Sequence, residues 1–105
     1  MPAAAPTLPR VEPIPVDEAV PELEPPYRVI IHNDDVTPMD FVIQVLKTIF
    51  YLSNDKALDI MMTAHITGVA YVQTLPKSEA EKRITKAHAQ ANWAGYPLKF
   101  SMEPE

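Results

Sequence analysis

The sequence predicts a small α+β domain, a three-stranded antiparallel sheet packed against three helices in the order β-α-α-β-α-β, behind a disordered N-terminal arm. Short β-branched or alternating runs are separated by longer stretches in which apolar residues return every three or four positions. Strands that mostly alternate, with so few helices between them, favour an antiparallel sheet with one face covered. Eight of the twelve prolines fall in the first 26 residues, where Arg10 stands against Glu12, Asp17, Glu18, Glu22 and Glu24. That stretch has too few large apolar side chains to build a core. Residues 1–25 are therefore expected to form a flexible, partly polyproline-II arm, and residues 26–105 a domain that folds alone around a modest core.

The elements follow in order. Tyr27 to His32 (YRVIIH) is short and β-branched and reads as a strand. Thr37-Pro38-Met39-Asp40 then reads as a helix start, with Thr37 as N-cap, Pro38 at the first helical position and Asp40 placed for a capping box. The helix is expected to run to about Tyr51, with Val42, Val45, Leu46, Ile49 and Phe50 on one face. Ser53 or Asn54 can cap a second helix through Ala57, Ile60, Met61, Ala64 and His65, ended by Gly68. Val69 to Thr74 reads as a second strand. Pro76 to Ala94 is a third helix, with Ala80, Ile84, Ala87 and Ala91 inward and Lys77, Glu81, Lys82 and Lys86 outward. Leu98 to Met102 alternates as a last, half-buried strand.

Composition narrows the function classes. With no cysteine among the 105 residues, a disulfide framework or thiolate metal site is not available. No apolar run approaches the roughly 18 residues that a membrane helix needs, and the acidic N-terminus fits neither a signal nor a transit peptide. The formal charge of −5 sits mostly in the arm, so the domain carries no basic stripe for a phosphate backbone. A soluble, cytoplasmic, monomeric protein without membrane or nucleic-acid partners is expected.

The run HNDDVTPMDFV, His32 to Val42, poses the chemical question. With Thr37 capping the helix, Asn33, Asp34 and Asp35 are surplus to it. Adjacent aspartates are frequent in plain turns, because their side chains bond their own backbone. A metal-dependent hydrolase on Asp34, Asp35 and His65 is one reading, with the carboxylates and imidazole as ligands or acid–base groups. Against it, His32 is expected to alternate away from the face of Ile31, His88 lies among alanines, and no nucleophile elbow, Walker loop or zincin motif is present. A binding site is the other reading. His65 follows Met61 and Met62 at i+4 and i+3 on an apolar helix face, where a satisfied core histidine and filler methionines would be the bland account. Together, Asn, Asp and His acceptors with flexible thioethers would suit one small cleft.

Asn33-Asp34-Asp35-Val36-Thr37-Pro38-Met39-Asp40-Phe41-Val42, followed by Met61-Met62-Thr63-Ala64-His65-Ile66-Thr67-Gly68 and then Tyr96-Pro97-Leu98, closely resembles the ClpS family. These adaptors deliver N-degron substrates to the N-terminal domain of a ClpA/ClpC-type unfoldase. The resemblance covers about residues 27–105, and implies a non-enzymatic adaptor without metal or cofactor. It implies capture of a free N-terminal Leu, Phe, Tyr or Trp. An α-ammonium has three N–H donors and no acceptor, and Asn33, Asp34 and His65 would receive it, the aspartate matching its charge. His65 must be neutral to accept, so binding is expected to weaken as the pH falls through the ordinary histidine range. Asp35 and Thr37 are expected to hold the loop or contact the peptide backbone.

By the same resemblance, Met39, Val42, Met61, Ala64 and Leu98 line a pocket for the first side chain, and Met39 acts as a gate against β-branched residues. Burying a Leu or Phe is worth roughly 1.5–3 kcal/mol, so pocket and amine site must act together. Ala64 departs from the valine often found there, which widens the pocket and is expected to favour aromatic over Leu first residues. Docking on the unfoldase is implied for the start of the third helix, through Ser78 or Glu79 and Arg83. Ser78 falls where the family often has a glutamate. The arm would be the segment that the unfoldase engages during hand-over.

Overall fold

In the computed structural model, residues 24–105 are described, and the arm expected over residues 1–25 lies outside them except for Glu24 and Pro25. The elements come in the expected order: β1 (Pro26–His32), α1 (Met39–Thr48), α2 (Asn54–Thr67), β2 (Val69–Pro76), α3 (Lys77–Ala94) and β3 (Lys99–Pro104). The sheet is antiparallel with β1 in the middle, in the order β2-β1-β3.

Its inner face carries Val29, Ile31, Ala70, Val72 and Phe100, all buried beneath Val45, Leu46, Ile60, Ala80, Ala87 and Ala91 of the helices. Phe50 stacks on Phe100 with ring centres 5.1 Å apart, tying the end of α1 to β3. Register shifts by one residue between Val29 and Ile30, a bulge that leaves Val72 without a partner on β1, while Ala70 and Val72, two apart, share the inner face by ordinary alternation.

Two helix ends differ from expectation. The first helix starts at Met39, and Pro38, in the cap position, offers its carbonyl to the N–H groups of Phe41 and Val42 but has no side chain to cap with. Thr37 does not cap α1, because the helix begins one residue later than read and its hydroxyl, which donates to Asp34, accepts none of the helix N–H groups, while the Asp40 carboxylate accepts from the adjacent Phe41 N–H rather than closing a box. At its other end α1 stops at Thr48, short of Tyr51. The Leu52 N–H returns to the Leu46 carbonyl at 3.2 Å, a bond spanning six residues, which leaves Tyr51 in the left-handed region at φ 57°. This is the closing geometry in which glycine is usual, here held by a tyrosine whose ring lies under the Arg83 guanidinium at 4.9 Å.

The second helix begins and ends as read. Ser53 Oγ accepts from the Lys56 N–H at 3.1 Å, and Gly68 takes φ 98° while its N–H bonds the Ala64 carbonyl. In α3 the cap comes from far away in sequence. One Glu24 carboxylate oxygen accepts from the Ser78 N–H at 2.6 Å and the other from the Ser78 hydroxyl at 2.8 Å, placing a negative charge on the positive end of the helix.

Candidate functional site

The site forms where β1 runs out. Its next residue, Asn33, donates its N–H to the Gly68 carbonyl at 2.9 Å, and His32 pairs with Val69 on β2 and Lys99 on β3. Because Gly68 ends α2 and turns the chain into β2, this bond places Asn33 beside the helix end that carries His65, one turn earlier. The β1–β3 pairing brings Leu98 to the same end of the sheet. The loop from Asn33 to Pro38 leads into α1, whose first turns supply Met39 and Val42.

These residues enclose one cavity of about 160 Å³, lined by the acceptors Asn33, Asp34, Asp35 and His65 together with Thr37, and by Met39, Val42, Met61, Ala64 and Leu98. All ten residues expected at an amine site and its pocket therefore face one space. The floor is apolar and buried, with Val42, Met61, Ala64 and Leu98 each less than a tenth exposed, whereas Met39 stands at the rim, 45% exposed. An engineered cavity of about 150 Å³ admits benzene, so this one has room for a benzyl or isobutyl group. Asn33, Asp35 and His65 are exposed, and their side chains make no hydrogen bond with the other described residues. Among the described residues, nothing occupies their polar atoms, which suits them to a ligand.

Asp34 is different. One oxygen accepts the N–H groups of Val36 at 2.8 Å and Thr37 at 2.6 Å, and the other accepts the Thr37 hydroxyl at 2.9 Å. Burial alone would raise its pKa, but these three bonds to the charged form outweigh it and hold the carboxyl below the ordinary aspartate range. A carboxylate has about four lone-pair positions. Asp34 thus holds the loop and keeps room for about one more donor. The loop-holding acid is Asp34 rather than Asp35, and Thr37 is its partner.

Two lining residues escaped the sequence reading. Ile31 lies beneath the cavity, and His32 lines it as well, contrary to the expected separation of the two by strand alternation. At the end of a strand the cavity opens past both faces of the last residues. His32 Nε2 is 2.7 Å from Ser101 Oγ across the sheet, a tie between β1 and β3 that the HNDD run could only hint at. The third histidine has a role in the fold: His88 Nε2 accepts the Phe100 N–H at 2.9 Å, closing the outer edge of β3. Among the described residues, no three His, Cys, Asp or Glu side chains are grouped to hold a metal ion.

The charged stretch at the start of α3 is engaged within the molecule. Ser78 is bonded to Glu24, and Arg83 Nε donates to Glu79 at 2.7 Å while its Nη1 reaches Gln73 at 3.0 Å. Glu79 and Arg83 form one i,i+4 pair on the surface, with Tyr51 beside it.

The model of the family described as ATP-dependent Clp protease adaptor protein ClpS matches residues 22–101 of this sequence. The chain belongs to the ClpS family. It is 44% identical over 100 residues to ATP-dependent Clp protease adapter protein ClpS 2 of Mesorhizobium japonicum, covering 93% of this chain and 99% of that one. The ClpS 2 protein of Rhizobium meliloti is 42% identical over 87 residues, covering 81% of this chain and 86% of the relative. A solved structure of Agrobacterium tumefaciens ClpS2 bound to L-phenylalaninamide superposes with a TM-score of 0.74 at 42% identity, over 77% of this chain and 98% of that one.

Proposed function

We propose that this protein is a cytoplasmic adaptor that captures the free N-terminal Leu, Phe, Tyr or Trp of N-degron substrates and delivers them to a ClpA/ClpC-type unfoldase. The observation that carries this reading is the cavity itself: free acceptors at the mouth, an apolar floor, and a volume that suits one large side chain. The α-ammonium enters against Asn33, the remaining lone pair of Asp34 and His65, so that its three donors meet three acceptors and one negative charge. The side chain descends between Met61, Ala64, Val42 and Leu98, with Met39 at the entrance. The Agrobacterium relative's ligand, an amine next to a benzyl group, has this chemistry.

The rival reading, a hydrolase on Asp34, Asp35 and His65, meets the difficulty that Asp34 is already committed to three donors of its own loop. For the unfoldase contact, the surface formed by Ser78, the half-buried pair Glu79 and Arg83, and exposed Tyr51 is the candidate, and residues 1–25 the candidate hand-over segment.

The test is fluorescence anisotropy of a labelled Phe-led peptide against the same peptide acetylated at its N-terminus, with and without a chelator. Acetylation is expected to abolish binding and the chelator to leave it unchanged. Equal binding of both peptides would sink amine capture, and chelator sensitivity would revive the metal reading.

A further inference from the structure

The most exposed large apolar side chain among the described residues lies outside the cavity. Trp93, in the last turn of α3, is 93% exposed, and with Phe41, Ala89 and Ala94 it forms an apolar groove that Lys86 borders. Beyond Phe41 the surface continues past Asp40 to Tyr96, whose ring meets that of Phe41 edge-on at 4.9 Å. Apolar surface grouped in this way marks a contact site. Glu79, Lys82, Lys86 and Trp93 recur at helical spacing, so one stripe runs from the start of α3 to the groove. Lys82 and Lys86 are exposed and form an ion pair with no described residue. Glu24, bonded to Ser78, brings residues 1–23 to the domain at the head of this same helix.

From these placements we infer that the groove at Trp93 is a docking site for the chain's own N-terminal segment, residues 11–16 (VEPIPV). The lengths agree. From Ser78 to Trp93 the helix rises about 22 Å, and the chain from Glu24 back to Pro15, wound as polyproline II, spans about 28 Å. The charges agree as well. On that path Glu22, Glu18 and Asp17 pass along Lys82 and Lys86, and Arg10, on the far side of the apolar run, falls toward Asp40. Aromatic-lined grooves take polyproline II, because its ordering cost is already low. With about three residues per turn, Val11 shares an edge with Ile14 and Pro13 with Val16. Two apolar edges then meet the groove, and Glu12 faces water on the third beside Pro15. Tethering holds the segment near the groove at an effective concentration of about millimolar, so a weak contact is enough.

Proton–nitrogen NMR of the full chain carrying a nitroxide at Thr7→Cys tests it, since the protein has a single tryptophan and no cysteine of its own. The Trp93 indole N–H signal is expected to lose most of its intensity and to regain it when the nitroxide is reduced. Val11→Ser with Ile14→Ser, changes in the arm, and Lys82→Glu with Lys86→Glu, at exposed positions of α3, are each expected to restore most of the signal without reduction. A signal that the nitroxide leaves intact, or that stays broadened in either variant, overturns the inference. Mixing a nitroxide-bearing chain with an isotope-labelled chain that lacks the nitroxide separates a second copy from the chain's own arm. Broadening as strong between chains as within one also overturns the inference, because the occupant is then a neighbouring molecule.

Discussion

Replacing Asp34 by Asn separates the two tasks that the structure gives this one side chain. As a loop residue it accepts the N–H groups of Val36 and Thr37 on one oxygen and the Thr37 hydroxyl on the other. Asn keeps one oxygen for the two N–H groups, and its amide can donate to the Thr37 hydroxyl, which rotates to accept. The loop geometry therefore survives, and the change from charged to neutral acceptors is expected to cost no more than about 1 kcal/mol of stability. The amine loses its only directly matched charge. Hydrogen bonds to charged groups contribute about 1.5–3 kcal/mol, so affinity for a Phe-led peptide is expected to fall roughly 10- to 150-fold. Asp34→Ala, which removes both acceptors, is expected to lose as much affinity and to unfold at a lower temperature as well. The assay pairs anisotropy with thermal unfolding on both variants. If Asp34→Asn binds the peptide as the unmodified protein does, the carboxylate does not receive the amine, and the argument from charge matching fails. The sign with pH follows from the lowered pKa: the stability Asp34 contributes is fully present above the unfolded aspartate value of about 3.9 and is lost as the pH falls through the lower folded value.

Further predictions concern the scaffold and the floor. Burial, and then the nearby Lys99 cation, push the His88 pKa below the ordinary histidine value, and the Phe100 N–H needs the unprotonated Nε2. The stability this contributes is therefore present above about pH 6.5 and is lost as the pH falls through the folded value, so the melting temperature should drop between pH 7.5 and pH 5. Most of that drop should vanish in His88→Gln, and an unchanged pH slope in that variant would refute the assignment. At Tyr51, Ala keeps the left-handed strain and loses the Arg83 contact, whereas Gly removes the strain. Tyr51→Gly is expected to be about 1 kcal/mol more stable than Tyr51→Ala, a gap of about 4–8 °C in melting temperature for a domain of this size. Equal melting of the two would mean that φ 57° is not strained here. Ala64→Val narrows the floor and is expected to shift preference from Phe-led toward Leu-led peptides in direct competition, while an unchanged ratio would show that Ala64 does not set the width.

What was legible in the sequence was local. Alternation and 3.6-residue periodicity marked the six elements, since each repeats over a few neighbouring residues. Ser53 and Gly68 announced the ends of α2, because a hydroxyl before a helix and a glycine after it act on the backbone within one turn. Of the ten residues expected at the site, Asn33, Asp34, Asp35, Met61 and His65 were singled out by residue type and helical position, whereas Thr37, Met39, Val42, Ala64 and Leu98 were assigned to it through the family resemblance.

Tertiary structure decided the rest. Thr37 looked like a helix cap by spacing alone, but the helix begins one residue later, and the folded loop turns the Thr37 hydroxyl toward Asp34. Glu24 reaches the start of α3 only because β1 lies beside it, at a separation of 54 residues that no sequence window spans. Strand alternation put His32 away from the cavity, and the end of the sheet brought it back. Above all, the meeting of Asn33, His65 and Leu98 is a product of register: the Asn33–Gly68 bond and the pairing of His32 with Val69 and Lys99 carry three distant segments to one end of the sheet. Short-range patterns choose helix or strand residue by residue, whereas a cavity exists only once long-range pairing has fixed which ends meet.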